Sequence, residues 1–586
     1  EESLIRRLRR HLLPREKEVR YTPPMPDTHA PANALPIDSI DRDVFQQALV
    51  GIAEEMSSAL RRAAYSSIIW DMYDYACGLF TPQGEMLAQA RTIAAQLGIM
   101  ATAFQHMIQA HPLAGWQPGD VYVCNDPYKG CTHTPDVVLF SPVFLDGALV
   151  AVTSTIAHHV DIGGKIPCTE AADNVEIFAE GLILPPLKLV DAGRPVQAIF
   201  DILAANVRDP RSSLGDLRAQ IAGCRTGERR IAELYARHGA AEAQALATAC
   251  LDYGESVMRR RIARLPPGRY TAVTLMEDEV ASEAPLEIHV AVTIEGETLT
   301  VDLTGSSPQR ENALNNPYAS TLSMVNYALK CLLAPEVAQN EGCIRPLRIV
   351  APPGTLVNPT WPAAVSVRHL TQQALADAVL RALSPAVPER STAGCHSSFP
   401  TLGAGGFDDR PAMAGADGKA PYYIIADIIG GGMGGSPAGD GLSAVDSHGG
   451  NCAILSAEVM ESLSPFRVER TELIPGSGGA GQARGGLAIR RDYRFLGSRC
   501  LLGGYLQQTS AQTAPWGAAG GEAGRPAAFI LNPGTPAERR LKSKVYGLPL
   551  KSGDVLRLEG AGGGGWGEAI QRDARRTAAD QAEGLA

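Results

Sequence analysis

Imidazoles and carboxylates crowd both ends of one short stretch, residues 121–168, which reads VYVCNDPYKGCTHTPDVVLFSPVFLDGALVAVTSTIAHHVDIGGKIPC. Asp126, His133 and Asp136 precede two apolar runs, and His158, His159 and Asp161 follow them. The runs, residues 137–144 and 149–156, are joined at Asp146-Gly147, a turn pair that favours a tight hairpin. Strands joined in this way lie side by side, so the polar residues at their outer ends must converge. Two imidazoles with one or two carboxylates suit a Zn²⁺, Mn²⁺ or Fe²⁺ ion with an open position, or general acid/base work. In extended backbone only one of His158 and His159 can face such a site. Asp161 is a group that could fix the tautomer of a ligating imidazole.

The elements around this stretch read as a chain of several lobes, since 586 residues exceed what one core supports. Residues 1–35 form an arm, with an Arg-rich start (Arg6 to Arg10) and then a proline-rich tether. A metal-site domain over residues 36–265 contains the hairpin and its helices. It opens with a helix over about 41–65, where Leu49, Ile52, Met56 and Leu60 recur at helical steps and Asp41 or Asp43 can cap. The segment IIWDMYDYACGLFTPQGEMLAQA reads as a second hairpin, and a helix over about 94–111 leads into residues 121–168. At least two amphipathic helices occupy residues 195–264. After Pro266-Pro267-Gly268 the period changes to two, with a hairpin turning at Glu295-Gly296-Glu297. A strand- and glycine-rich region follows over 266–560, with helices near 320–333 and 370–383, and residues 561–586 form a frayed tail. The expected fold class is α+β and multi-lobed, with mixed and antiparallel sheets and helices packed on them.

The remaining signals narrow the function. Net charge is -10 and no long basic run stands out, which argues against nucleic acid as partner. No long uncharged apolar run or signal-peptide core is present, so a cytoplasmic protein without a membrane span is expected. Eleven cysteines without a CxxC pair fit reduced thiols. No GxxxxGK[ST] occurs, and DLTGSS at Asp302 reads as a turn closing a strand rather than as a nucleotide loop. The runs GGGMGG, GSGGAGQARGG and GAGGGGWG read as structural turns before they read as phosphate cradles.

The segments NDPYKGCTHTPD, IAHHVDIGG, VDLTGSSPQ, NEGCIRPLRIVAPPGTLVNP and SGGAGQARGGL resemble those of the hydantoinase B/oxoprolinase family, over roughly residues 37–558. The resemblance implies a divalent metal held by His133, Asp136 and His158 with Asp74 as fourth ligand. It moves His159 and Asp161 to general-base or supporting roles. It further implies a hydantoinase A-type partner of actin-like ATPase fold in a hetero-oligomer. That partner would use ATP and Mg to activate the small-molecule substrate or bicarbonate. The implied reaction is hydrolysis of a cyclic amide such as a hydantoin, a lactam or 5-oxoproline. The alternative it implies is ATP-dependent carboxylation of a ketone of the acetone or acetophenone type. The segment WDMYDYAC, beside Asp74, departs from the family's usual pattern and bears on substrate choice.

Overall fold

Asp38 starts the first helix: its carboxylate accepts the N–H of Ile40, and α1 (Ser39–Ala63) follows in the computed structural model, which describes residues 37–413, 415 and 418–586. The cap therefore lies three residues before Asp41, which instead sits in the first turn where a carboxylate meets the positive helix end. The arm expected over residues 1–35 lies outside the described residues. Phe45, Leu49, Ile52, Met56 and Leu60 form the buried stripe of α1.

The first sheet carries the hairpin read from the sequence. Its strands are β1 (Tyr75–Phe80), β2 (Met86–Gln89), β3 (Val121–Cys124), β4 (Asp136–Leu145), β5 (Ala148–His158), β6 (Leu187–Asp191) and β7 (Arg194–Pro195), in the order β2-β1-β5-β4-β3-β6-β7. Asp146 and Gly147 both have positive φ, as a two-residue turn matched to strand twist requires. Register then places Asp136 opposite His158 at the outer end of the hairpin. On the other side of β5, Tyr75 pairs with Ala157, so Asp74 arrives beside His158, whose N–H donates to the Asp74 carbonyl at 3.1 Å.

The helix expected over about 94–111 is two helices, α2 (Ala94–Leu97) and α3 (Met100–Ala110), broken at Gly98. A Cβ at Gly98 would lie 2.1 Å from Ser323 Oγ, so the break lets another helix approach. The long α4 (Pro210–His238) crosses the sheet and packs on α1. Gly227 makes the approach possible, since a Cβ there would stand 2.4 Å from Met56 Sδ and 2.7 Å from Thr153 Cγ2. Helix α5 (Ala240–Ile262) follows.

Strands β8 (Gly268–Met276), β9 (Leu286–Glu295), β10 (Thr298–Asp302) and β11 (Leu347–Val350) make a second sheet, with β10 and β11 parallel. Helices α6 (Tyr318–Leu333) and α7 (Arg368–Leu383) pack together, and α7 is buried along nearly all its length. Then come β12 (Thr401–Phe407), β13 (Tyr422–Ile428), β14 (Phe466–Leu473), β15 (Ile489–Phe495), β16 (Cys500–Tyr505), β17 (Ala528–Leu531), β18 (Arg539–Arg540), β19 (Lys544–Leu550) and β20 (Val555–Glu559). They form two antiparallel sheets, β13-β12-β16-β19 and β14-β15-β20-β17-β18. The protein is thus α+β with mixed and antiparallel sheets. One apolar core runs from Phe45 to Ala561, and Ile37–Ala586 is a single compact unit.

The glycine runs are not mainly turns. Residues 560–567 form an extended chain whose successive N–H groups reach different neighbours. Gly562 and Gly565 donate to the carbonyls of Arg525 and Glu522, Gly563 and Trp566 to those of Gly486 and Ala483, and Gly564 to that of Gly394. That is a period of three, the repeat of a polyproline-II-type chain. A Cβ at Gly563 would sit 1.9 Å from the carbonyl oxygen of Met433, so only glycine fits this packing. The frayed tail is also corrected. Helix α8 (Ala574–Ala582) is anchored by Asp580, which accepts from Arg484 at 3.1 Å and Arg572 at 2.6 Å.

Candidate metal centre

Four elements of separate sequence origin meet at the outer end of the β4–β5 hairpin. Strand β4 supplies Asp136, the loop before it His133, β5 His158, and the residue before β1 Asp74. They line one wall of a cavity of about 60 Å³, with Gln96 from α2, Arg368 and His369 from α7, Glu170, Cys452 and Tyr505. Apolar side chains, Ile166, Pro167, Phe399, Leu402 and Ile428 among them, make up much of the remaining lining. Gly403 and Gly503 lie under the Ile166–Cys168 segment, where a Cβ would press on Cys168 and Ile166.

The hydrogen bonds fix the tautomer of His133. Its Nδ1 stands 3.0 Å from the carbonyl oxygen of Ser366 and 3.2 Å from Glu170 Oε1, and both are acceptors. Nδ1 therefore carries the proton, and Nε2 presents a lone pair. That lone pair faces Asp136 Oδ2 at 3.3 Å and His158 Nδ1 at 3.2 Å. Burial and the Arg368 guanidinium hold the pKa of His133 below its usual value, so the ring stays neutral. Two imidazole nitrogens and a carboxylate thus converge on one point, an arrangement in which a cation can replace the proton that His158 brings. His158 Nδ1 is also 3.3 Å from Asp136 Oδ1, and the ligating atoms of His133, Asp136 and His158 all lie within 4.8 Å of one another.

The charge balance leads the same way. Asp74, Asp136 and Glu170 bring three carboxylates to the cavity against a single guanidinium, that of Arg368. Without a metal, protons make up the difference. Burial pushes Asp74 up to about 7. Burial would lower His158, but the bond to Asp136 and the charge of Asp74 outweigh it and carry the ring up to about 9. Asp136 is buried too, yet the two imidazoles and Arg368 hold it well below the usual carboxylate range. Two protons thus stand where one divalent ion would supply the same charge. The donor set, two imidazole nitrogens and hard carboxylate oxygens, fits Zn²⁺, Mn²⁺ or Fe²⁺.

Supporting bonds hold these groups in place. Gln96 Nε2 bridges Asp74 Oδ1 at 2.8 Å and Asp136 Oδ1 at 3.1 Å, and its own Oε1 has no partner. Arg368 Nη2 donates to Asp136 Oδ2 at 2.9 Å, as does the Thr132 hydroxyl. Arg368 Nη1 donates to His369 Nδ1 at 3.2 Å, so His369 carries its proton on Nε2, which has no protein acceptor. The Tyr505 hydroxyl donates to Glu170.

His159 and Asp161 do not join this group. Alternation along the end of β5 turns His159 to the far side, where its Nε2 lies 3.0 Å from Gln220 Oε1 on α4. Asp161 is held by Arg208: Nη1 donates to Oδ1 at 2.8 Å and the Arg208 N–H to Oδ2 at 2.8 Å. It orients no ligating imidazole; the Ser366 carbonyl and Glu170 do that for His133. Gln96, Glu170, Arg368, His369 and Tyr505 were missed because they come from elements far apart in the chain. The one local hint was Arg368-His369 at the start of an apolar helix. All eleven cysteines are free, and no helix among the described residues is long and apolar enough to cross a membrane.

The family model for hydantoinase B/oxoprolinase matches residues 38–569. A candidate D-/L-hydantoinase subunit of Pseudomonas sp. (strain NS671) is 32% identical over 577 residues, covering 94% of this chain and 93% of its own. The crystal structure of the ATP-dependent caprolactamase from Pseudomonas jessenii superposes with a TM-score of 0.85 at 29% identity, covering 94% of this chain and 95% of that one. The nucleotide-free structure of an acetone carboxylase also gives a TM-score of 0.85, at 20% identity, covering 93% of this chain and 78% of that one.

Proposed function

The chain belongs to the hydantoinase B/oxoprolinase family, and from that membership we propose that it is the metal-bearing subunit of an ATP-dependent cyclic-amide hydrolase, working with an actin-like ATPase subunit. The observation that carries the metal is the convergence of buried ligand atoms from His133, Asp136 and His158 within 4.8 Å of one another. What favours a cyclic amide is that the hydantoinase and caprolactamase relatives are 32% and 29% identical, whereas the acetone carboxylase, at 20%, shares the fold alone.

In this reading Asp74, His133, Asp136 and His158 hold the ion. A divalent metal bound there would polarise a carbonyl or lower the pKa of a bound water to about 7. The chain's own groups do the rest. Gln96 sets the spacing of Asp74 and Asp136. Arg368 and Thr132 take one oxygen of Asp136 and leave the other directed at His158. The Nε2–H of His369, without a protein acceptor, is free to donate to a substrate oxygen. The apolar wall of Ile166, Phe399, Leu402 and Ile428 limits water. Activation by ATP belongs to the partner, because an amide is a poor electrophile until its oxygen is made a leaving group.

The test is ATP turnover by the complex with its ATPase subunit. Lactams or hydantoins are expected to stimulate it. Stimulation by aryl or alkyl ketones with bicarbonate, and not by lactams, would transfer the chain to the carboxylase reading.

A further inference from the structure

We propose that Asp377, Cys395 and His448 form a second metal site, for a borderline-soft divalent cation of the Zn²⁺ type, separate from the cavity centre. One ligand atom from each lies within 4.8 Å of the others, and all three residues are buried. The donors are a thiol sulfur, an imidazole nitrogen and a carboxylate oxygen, a set that selects Zn²⁺ over Mg²⁺ or Ca²⁺.

Three details set the cluster apart from an ordinary polar bridge. His448 Nε2 makes no hydrogen bond, although its side chain is only 2% exposed; Asp377 Oδ1 stands 3.4 Å away. Cys395 Sγ accepts the N–H of Gly434 at 3.4 Å, the polarity expected around a thiolate sulfur that ligates a metal. The carboxylate of Asp377 is oriented by Trp516, whose Nε1 donates to Oδ2 at 2.6 Å, and by the backbone N–H of Cys395, which donates to Oδ1 at 3.1 Å.

The location gives the site a purpose. Asp377 lies on α7, eight residues beyond His369, about 12 Å along the helix from the first centre. His448 directly precedes Gly449 and Gly450, which line the cavity. A metal between them pins the His448 loop to α7 and so holds one wall of the reaction chamber.

Co²⁺ titrated into the metal-free full-length chain tests this. A thiolate-to-cobalt absorption band is expected in the wild type. It should persist in Asp136→Asn and in Cys452→Ser, whose thiol lies beside Asp74, and vanish in Cys395→Ser. Elemental analysis of zinc-loaded protein should give two equivalents in the wild type and one in Cys395→Ser. If Cys395→Ser does not fold, His448→Gln with a wild-type circular-dichroism spectrum replaces it, and loss of the band is again expected. The proposal is overturned by the absence of a band in the wild type. It is equally overturned if the band survives in the folded variant or is lost in Cys452→Ser instead.

Discussion

At the scale of single residues, the first centre is a balance of charge. Asp74 near 7 and His158 near 9 hold protons that a metal must displace, so affinity should rise with pH between about 6 and 9, with protons released on loading. Titration in buffers of differing ionisation enthalpy measures this, and a pH-independent affinity over that range would contradict the assigned ligands. Gln96→Leu removes only the bridge between two carboxylates, and a loss of about 10–100-fold in metal affinity is expected. The sequence made His133, Asp136 and His158 legible because they lie at the ends of one local hairpin. Asp74 came from resemblance alone, as its place beside His158 depends on β1 pairing with β5 across an intervening 80-odd residues. Glu170 and Tyr505 left no local signal, since each enters from a different element and gains meaning only when the cavity closes.

At the scale of elements, the helices and hairpins were read close to their true bounds wherever the apolar period was strong, as in α1 and β9–β10. The glycine-rich segments were not, because their order comes from contacts between distant chains and not from local preference. Gly563→Ala should therefore abolish folding, as its Cβ would meet the Met433 carbonyl at 1.9 Å. Gly51→Ala, in mid-α1 with nothing within 4 Å, should instead stabilise by about 1 kcal/mol. Thermal melts of the two variants distinguish these outcomes. Glu180 links the loop before α7 to the first centre: its Oε1 accepts the N–H groups of Val365 and Ser366, and the Ser366 carbonyl meets His133. Burial pushes Glu180 up to about 8 from 4.5, so the folded state favours its protonated form. That stabilisation is complete below about 4.5 and is lost as pH rises to about 8. The Tm of Glu180→Gln should fall less than that of the wild type across this window, and equal slopes would remove Glu180 as the cause.

At the scale of the whole molecule, one large apolar core joins the helical and the strand-rich halves, and in the proposed function the ATP chemistry lies on a partner subunit. The chain alone should hydrolyse neither ATP nor lactam, and both activities should appear when it meets its ATPase subunit. Family membership was legible because its segments are long and ordered along the chain; the substrate was not, because the chamber wall is assembled from residues scattered between Ile68 and Tyr505. The central claim is that Asp74, His133, Asp136 and His158 hold one divalent ion. Anomalous diffraction from crystals of the metal-loaded protein tests it most directly. The predicted result is a peak at about 2.0–2.2 Å from His133 Nε2 and from the carboxylate oxygens, absent in Asp136→Asn. A chamber with no peak between His133 and Asp136 in the loaded wild type would contradict it.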